Sequence, residues 1–421
     1  MRTAPMNPIS PNFHALTRLA PFFRLLTLLV VIAVVALSVQ QAQAAKAAPD
    51  SGFQSFVQSL WPQAQARNVS RATFDAAFEG VTPNPKLIAL TKKQAEFVKP
   101  VWDYLAGAVS AKRIGRGQEK RAEWKDTLAR AQSQYGVDPS VVMGIWGMET
   151  DFGGFSGDNN VIRSLATLAY ARYRGDFFKD ELLNALQILQ EGHIAPAAMT
   201  GSWAGAMGQT QFMPSSFLKY AVDFNRDGRK DIWTSVPDAL GSTANYLKRS
   251  GWSSGRPWGF EVKLPAGYSG PSGRTNKQPM ASWASRGITR IDGRALGDES
   301  AGLLIPAGAT GPAFLVTHNF DAIYAYNAAE SYALAIALLS DRLRGGAGMA
   351  TPWPNGERGL SRVERRELQG LLKTRGYDIG NADGVLGTKS RQAISDFQTR
   401  TGLTANGSAS GRVLDALRKG Q

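Results

Sequence analysis

The chain has 421 residues, 43% of them hydrophobic and 19% charged, which excludes a disordered polymer and suffices for two or three domains. It contains no cysteine, so disulfides, thiolate metal sites, a cysteine nucleophile and a lipoprotein-type anchor are excluded. A formal net charge of +14 suits an anionic polymer or surface.

The N-terminus reads as an export signal. Arg2, Arg18 and Arg24 form a basic region, residues 25–39 are an apolar run, and Ala42-Gln43-Ala44 is a small-x-small cleavage site. The run is shorter than the ~20 residues of a spanning helix, so cleavage near Ala44 is expected rather than a retained anchor. Residues 1–44 are therefore assigned to a signal peptide and the protein to the periplasm; loss of the three arginines leaves +11. An exported chain without a basic repeat or base-stacking motif excludes nucleic acid as partner.

Residues 45–50 form a small-residue linker, and the pattern from 53 to 133 is helical. Ser70 caps a helix that carries Phe74 and Phe78 at i, i+4. A second helix, 95–105, carries Phe97, Val101, Trp102 and Leu105; these aromatics, with Tyr104, read as core. Asp138-Pro139 starts a further helix: a side-chain acceptor at the cap, then a residue pre-set for the first helical position. Val141, Val142, Ile145 and Trp146 form its apolar stripe, and Glu149 continues that stripe. A carboxyl on an apolar face loses solvation when ionised, so its pKa rises toward that of a general acid working near neutrality. Gly153-Gly154 ends the helix, where a cleft can open; the competing reading is a boundary glutamate reaching water.

Helical patterns follow at 165–173 and 177–191. The loop 201–217 then brings three glycines within eight residues, which lets backbone approach a ligand. Ser202, Gln209 and Gln211 add neutral hydrogen-bonding groups, suited to an uncharged substrate rich in hydroxyl and acetamido groups. Next, Asp223, Asn225, Asp227 and Asp231 stand at positions 1, 3, 5 and 9 of an EF-hand-like loop with Gly228 at position 6. Thr234 occupies position 12, where a bidentate Glu would close such a loop; the competing reading is a polar turn without metal. A helix covers 238–248. Residues 252–317 read as a small β-rich insertion with strands at 260–264, 302–305 and 313–317. Tyr324-Ala325-Tyr326-Asn327 leads into an apolar helix, 331–343. A Gly/Pro linker, 346–358, separates a last module, 359–421, with three helical patterns and a net charge of +5.

Glu149-Thr150-Asp151-Phe152-Gly153 after an apolar helix resembles the catalytic signature of lytic murein transglycosylases. The run Ala204-Gly205-Ala206-Met207-Gly208-Gln209-Thr210-Gln211-Phe212-Met213-Pro214 resembles the second signature of the transglycosylase B family, and 359–418 resembles a type 1 peptidoglycan-binding domain. The resemblance implies a mainly α (α+β) fold: a lysozyme-like helical core, 45–345, with a small β-rich insertion, plus a C-terminal three-helix module. It implies cleavage of the β-1,4 bond between N-acetylmuramic acid and N-acetylglucosamine, giving 1,6-anhydromuramic ends, with Glu149 as acid and then base. It places Ser202, Gln211, Tyr246, Tyr326, Asn327 and Tyr332 along the cleft. It also implies closure of the Asp/Asn loop by Asp238, one residue further on than the family spacing. No cofactor is required for this chemistry; a structural Ca²⁺ is the one ion the loop suggests. Peptidoglycan strands are the expected partner, with other cell-wall enzymes as further ones. The rival readings are a hydrolytic muramidase and a non-catalytic wall-binding protein.

Overall fold

The computed structural model describes residues 50–93, 101–308, 311–353, 360, 362–405 and 407–420. The expected signal peptide, residues 95–100 of the expected second helix and residues 354–358 of the expected linker lie outside them. Contacts divide the chain into Met1–Ser55 and Phe56–Gln421. The elements that follow belong to the second unit.

The centre of this unit is the helix Pro139–Thr150. Asp138 caps it, its carboxylate accepting from the Ser140 amide at 2.7 Å, and Pro139 takes the first position. The sequence pattern implied one apolar stripe; instead every residue from Ser140 to Gly147 is buried. The helix runs through the core rather than along its surface, which is why it is apolar on all sides. It packs against Glu330–Leu343, Ala111–Glu123 and Val236–Arg249. A Cβ at Gly144 would stand 3.1 Å from the Ile336 carbonyl oxygen. The small residue thus lets the Glu330–Leu343 backbone come close, and that helix begins next to the end that carries Glu149.

Val161–Tyr170 and Phe177–Gln190 pack on each other beside this core. Ser70 caps Arg71–Phe78 as expected, its hydroxyl accepting from the Thr73 amide at 3.1 Å. Two short strands, β1 (Asn159–Asn160) and β2 (Thr200–Gly201), pair antiparallel and tie the chain after the Glu149 helix to the start of the glycine-rich loop.

The insertion holds five antiparallel strands: β3 (Gly259–Lys263), β4 (Gly273–Pro279), β5 (Thr289–Arg290), β6 (Ser300–Leu304) and β7 (Ala313–Val316), in the order β4-β6-β7-β3-β5. The three strands expected from sequence are the three inner ones. The two edge strands carry no apolar alternation, because an edge strand such as Arg274-Thr275-Asn276-Lys277 is polar against solvent. Phe260, Val262, Trp283, Leu303 and Leu315 form the insertion's own core.

The C-terminal module consists of Arg362–Thr374, Thr388–Arg400 and Gly411–Arg418 around Leu368, Leu372, Ile394, Phe397 and Leu414. Val363, in the first turn of the first helix, is exposed.

Candidate active site

The helix end that presents Glu149 is built by unusual backbone. Asp151, Phe152 and Gly153 all have positive φ, at 50°, 60° and 76°. Left-handed conformations cost a non-glycine residue about 1–2 kcal/mol each, so the turn needs external support. Phe152 supplies part of it. Its ring is buried, meets Trp146 edge-on at 5.8 Å, and lies against Gly147 and Gly117, where a Cβ at either would come within 2.6 Å of its Cζ. Thr150 supplies more: its hydroxyl donates to the Gln209 carbonyl at 3.2 Å and accepts from the Gly153 amide at 3.1 Å. Asp151 pairs with Arg116 at 2.7 Å and Arg113 at 3.3 Å. Each member of the Glu-Thr-Asp-Phe-Gly run after the glutamate thus fixes the helix end.

Glu149 itself accepts a hydrogen bond from the Tyr332 hydroxyl. Burial raises its pKa from 4.5 to about 7, although that hydrogen bond pulls the other way. A charge on Glu149 also bears on Tyr104, Tyr326 and Tyr332, whose hydroxyls burial already pushes up. Three tyrosines therefore surround the carboxyl. Tyr326 donates to the Thr210 carbonyl at 2.7 Å, joining the glycine-rich loop to this group. Its ring is 4.7 Å from Tyr246 and 5.8 Å from Phe212, and Tyr246 is 4.5 Å from Tyr220. A band of aromatic faces beside one protonatable carboxyl offers stacking surface for sugar rings and a proton for a glycosidic oxygen.

The expected cleft residues fall into two groups. Tyr246, Tyr326 and Tyr332 converge on Glu149 or on its aromatic surroundings. Asn327 is exposed just beyond Tyr326. The loop residues hold the loop itself. Ser202 closes its turn, the hydroxyl accepting from the Ala206 amide at 3.0 Å. Gln211, at φ 51°, donates to the Ser156 and Gly208 carbonyls at 2.9 and 2.8 Å. Gln209, expected as a substrate-facing donor, is buried: it accepts from Trp146 Nε1 at 3.0 Å and donates to the Trp233 carbonyl at 3.2 Å. It acts from behind the cleft, bracing the Glu149 helix. Tyr104, read as core from sequence, is added to the surroundings of the acid, and Tyr220 to the aromatic band beside it. An isolated tyrosine in a helical pattern carries no signal that separates packing from a cleft wall. A separate cavity of about 1520 Å³, lined by Trp102, Trp258 and Trp353 among others, includes none of these groups.

The Asp/Asn loop folds as a closed turn. Asp223 accepts from the Asp227 and Gly228 amides at 3.1 and 2.9 Å, and Asn225 lies 3.0 Å from Asp227 through its side-chain nitrogen. Asp231 accepts from the Trp233 and Thr234 amides at 2.9 and 2.8 Å. Asp238 is fully buried beneath the turn and accepts from the Phe224, Asn225 and Asp231 amides. The five expected ligands thus divide into Asp223, Asn225 and Asp227 at the mouth and Asp231 and Asp238 as scaffold. Among the described residues no three His, Cys, Asp or Glu side chains converge as a metal site. The oxygen chemistry of the mouth nonetheless suits a hard cation.

Asp151 offers a direct check on which carboxyl does chemistry. Asp151→Asn is expected to lower stability by roughly 1 kcal/mol through its two arginine pairs. Turnover should stay within about tenfold, since the side chain faces Arg113 and Arg116 rather than the tyrosines. Paired unfolding curves and initial rates measure both; near-complete loss of turnover in a folded variant would reassign the acid.

The chain is similar to proteins of known family and structure. Residues 52–341 match the family described as transglycosylase SLT domain, and residues 361–417 match a peptidoglycan binding domain. The membrane-bound lytic murein transglycosylase B of Escherichia coli is 34% identical over 229 residues, 51% of this chain and 59% of that protein. The chain thus spans somewhat under two thirds of that relative's length. SltB3 from Pseudomonas aeruginosa, solved in complex with NAG-anhNAM-pentapeptide, is 46% identical over 87% of this chain and 99% of that one, with a TM-score of 0.81. The Escherichia coli lytic transglycosylase Slt35, solved in complex with calcium, is 30% identical over 70% of this chain and 92% of that one, with a TM-score of 0.60.

Proposed function

We propose that this chain, which belongs to the transglycosylase SLT family, is a lytic transglycosylase of peptidoglycan that cuts the β-1,4 bond between N-acetylmuramic acid and N-acetylglucosamine. Protonated Glu149 gives its proton to the leaving glycosidic oxygen. The acetamido group of the muramic acid attacks the anomeric carbon. Glu149, now ionised, takes the proton of the sugar's C6 hydroxyl, and that oxygen closes a 1,6-anhydro ring. No water enters.

The observation that carries this reading is a single desolvated carboxyl with a pKa of about 7 among tyrosines. Such a group is available in both forms near neutrality, as one residue serving first as acid and then as base requires. Hydrolysis with two carboxylates needs a partner across the bond, and Asp151, the nearest in sequence, is held by two arginines. Binding of an anhydromuramyl ligand by SltB3 supports the same product. The peptide carried by that ligand supports a substrate strand bearing peptide stems. Mass spectrometry of products from purified sacculi tests the proposal. Each new muramic end is expected one water lighter than a hydrolytic end; reducing ends alone would favour the muramidase reading.

Such a strand lies outside the cytoplasm, in accord with export through residues 1–44. Among the described residues no helix is long and apolar enough to cross a membrane. The module at 359–421 would hold the enzyme on the wall. Asp223, Asn225 and Asp227 would hold a calcium ion that stabilises the turn and takes no part in the chemistry, in line with the calcium complex of Slt35. An ion bound only to the native state raises the unfolding midpoint with its concentration. Thermal melts with calcium are expected above those with chelator, and superimposable melts would leave a polar turn.

A further inference from the structure

Among the described residues, the seam between the C-terminal module and the core carries more positive charge than its own partners neutralise. Arg391 donates to the Ser272 hydroxyl at 2.7 Å, and Thr388 donates to the Ser272 carbonyl at 3.2 Å, so the module meets the loop before β4. Just beyond, the half-exposed Glu330 carboxylate faces three guanidinium groups: Arg274, whose Nε is 3.9 Å away, and at longer range Arg391 and Arg365 of the module. Arg274 is also paired with Asp321, which in turn binds Lys277 at 3.0 Å. Arg362 stands near Arg365 and adds to the excess.

Two of these groups are incompletely satisfied. Among the described residues, Arg274 Nε and Arg365 Nε are buried without a hydrogen-bond partner. Burial pushes the pKa values of Arg365 and Arg391 down. A seam built only to latch two bodies together would satisfy such N–H groups, because a buried donor left without a hydrogen bond is costly. Planar guanidinium forks match a carboxylate. Glu330 stands two residues before Tyr332, so the seam adjoins the same helix start that holds the acid.

We propose that this seam binds a carboxylate of the substrate's peptide stem, with Arg365 and Arg274 as its donors and Arg391 fixing the module in place. The inference rests on the reading of the substrate as a glycan strand bearing peptides.

The test uses the full chain carrying Glu149→Gln, so that ligand is bound and not consumed. Three soluble probes are titrated by calorimetry: a disaccharide pentapeptide, the same compound with its carboxylates amidated, and the disaccharide without peptide. The free-acid form is expected to bind about tenfold more tightly than the amidated form, the scale of one charge-assisted pair. Adding Arg365→Gln is expected to erase that difference. Equal binding of free-acid and amidated probes overturns the inference even if no arginine variant folds, and so does a difference that survives Arg365→Gln. If none of the three probes binds, the substrate reading itself falls and takes this inference with it.

Discussion

Glu149→Gln is expected to lower peptidoglycan turnover by about 10⁴-fold or more while the protein stays folded and still binds strands. Glutamine keeps the volume and can still accept the Tyr332 hydrogen bond. It has no acidic proton for the leaving oxygen, and its amide cannot take the C6 proton. Both halves of the reaction therefore fail at one position. In the wild-type enzyme the rate should fall as pH rises above about 7, because the protonated form is then lost. Rates on sacculi at a series of pH values, for wild type and variant, measure both effects. A glutamine variant that kept most of its activity, or a wild-type rate flat across neutrality, would remove Glu149 from the role.

The same substitution is expected to make the protein more stable, and only on one side of the pH scale. The carboxyl has a pKa of about 7 when folded against 4.5 as its ordinary value, so the folded state holds its proton more tightly. Below the unfolded value both states are protonated and the raised pKa has no effect. As pH rises from 4.5 toward 7 the unfolded chain ionises first, and stability is lost. Above about 7 the folded state carries a desolvated charge at a cost of roughly 3 kcal/mol. Glutamine carries no such charge. Denaturant unfolding at pH of about 4 should show the two proteins nearly equal, and at about 9 the variant should be the more stable. Equal stability at the higher pH would mean that the carboxyl is solvated.

What the sequence made legible follows from local physics. The Asp138-Pro139 start and the Ser70 cap were readable because a cap is a contact within three residues. The inner strands of the insertion were readable because burial on a sheet writes apolar runs. The edge strands were not, since solvent accepts any polar residue there. At the candidate site, the desolvation of Glu149 was readable from its position on an apolar segment. Its contact with Tyr332 lies 183 positions away and leaves no local trace. Gln209 shows the opposite failure: a polar residue in a glycine-rich loop suggests a ligand contact. In the fold it braces Trp146 and the Trp233 carbonyl from within.

That long separation between Glu149 and Tyr332 has a bearing on when the proposed site is assembled. The segments that join them include the glycine-rich loop, the acidic turn and the whole five-stranded insertion. Contacts of such high sequence separation carry a loop-closure entropy that local contacts do not, and they slow folding. A chain still emerging, or cut before residue 332, already contains its acid but lacks the phenol that holds it. On the proposed function, a chain organised this way would complete its acid site only when the helix Glu330–Leu343 docks, and a fragment that ends before it would lack that site.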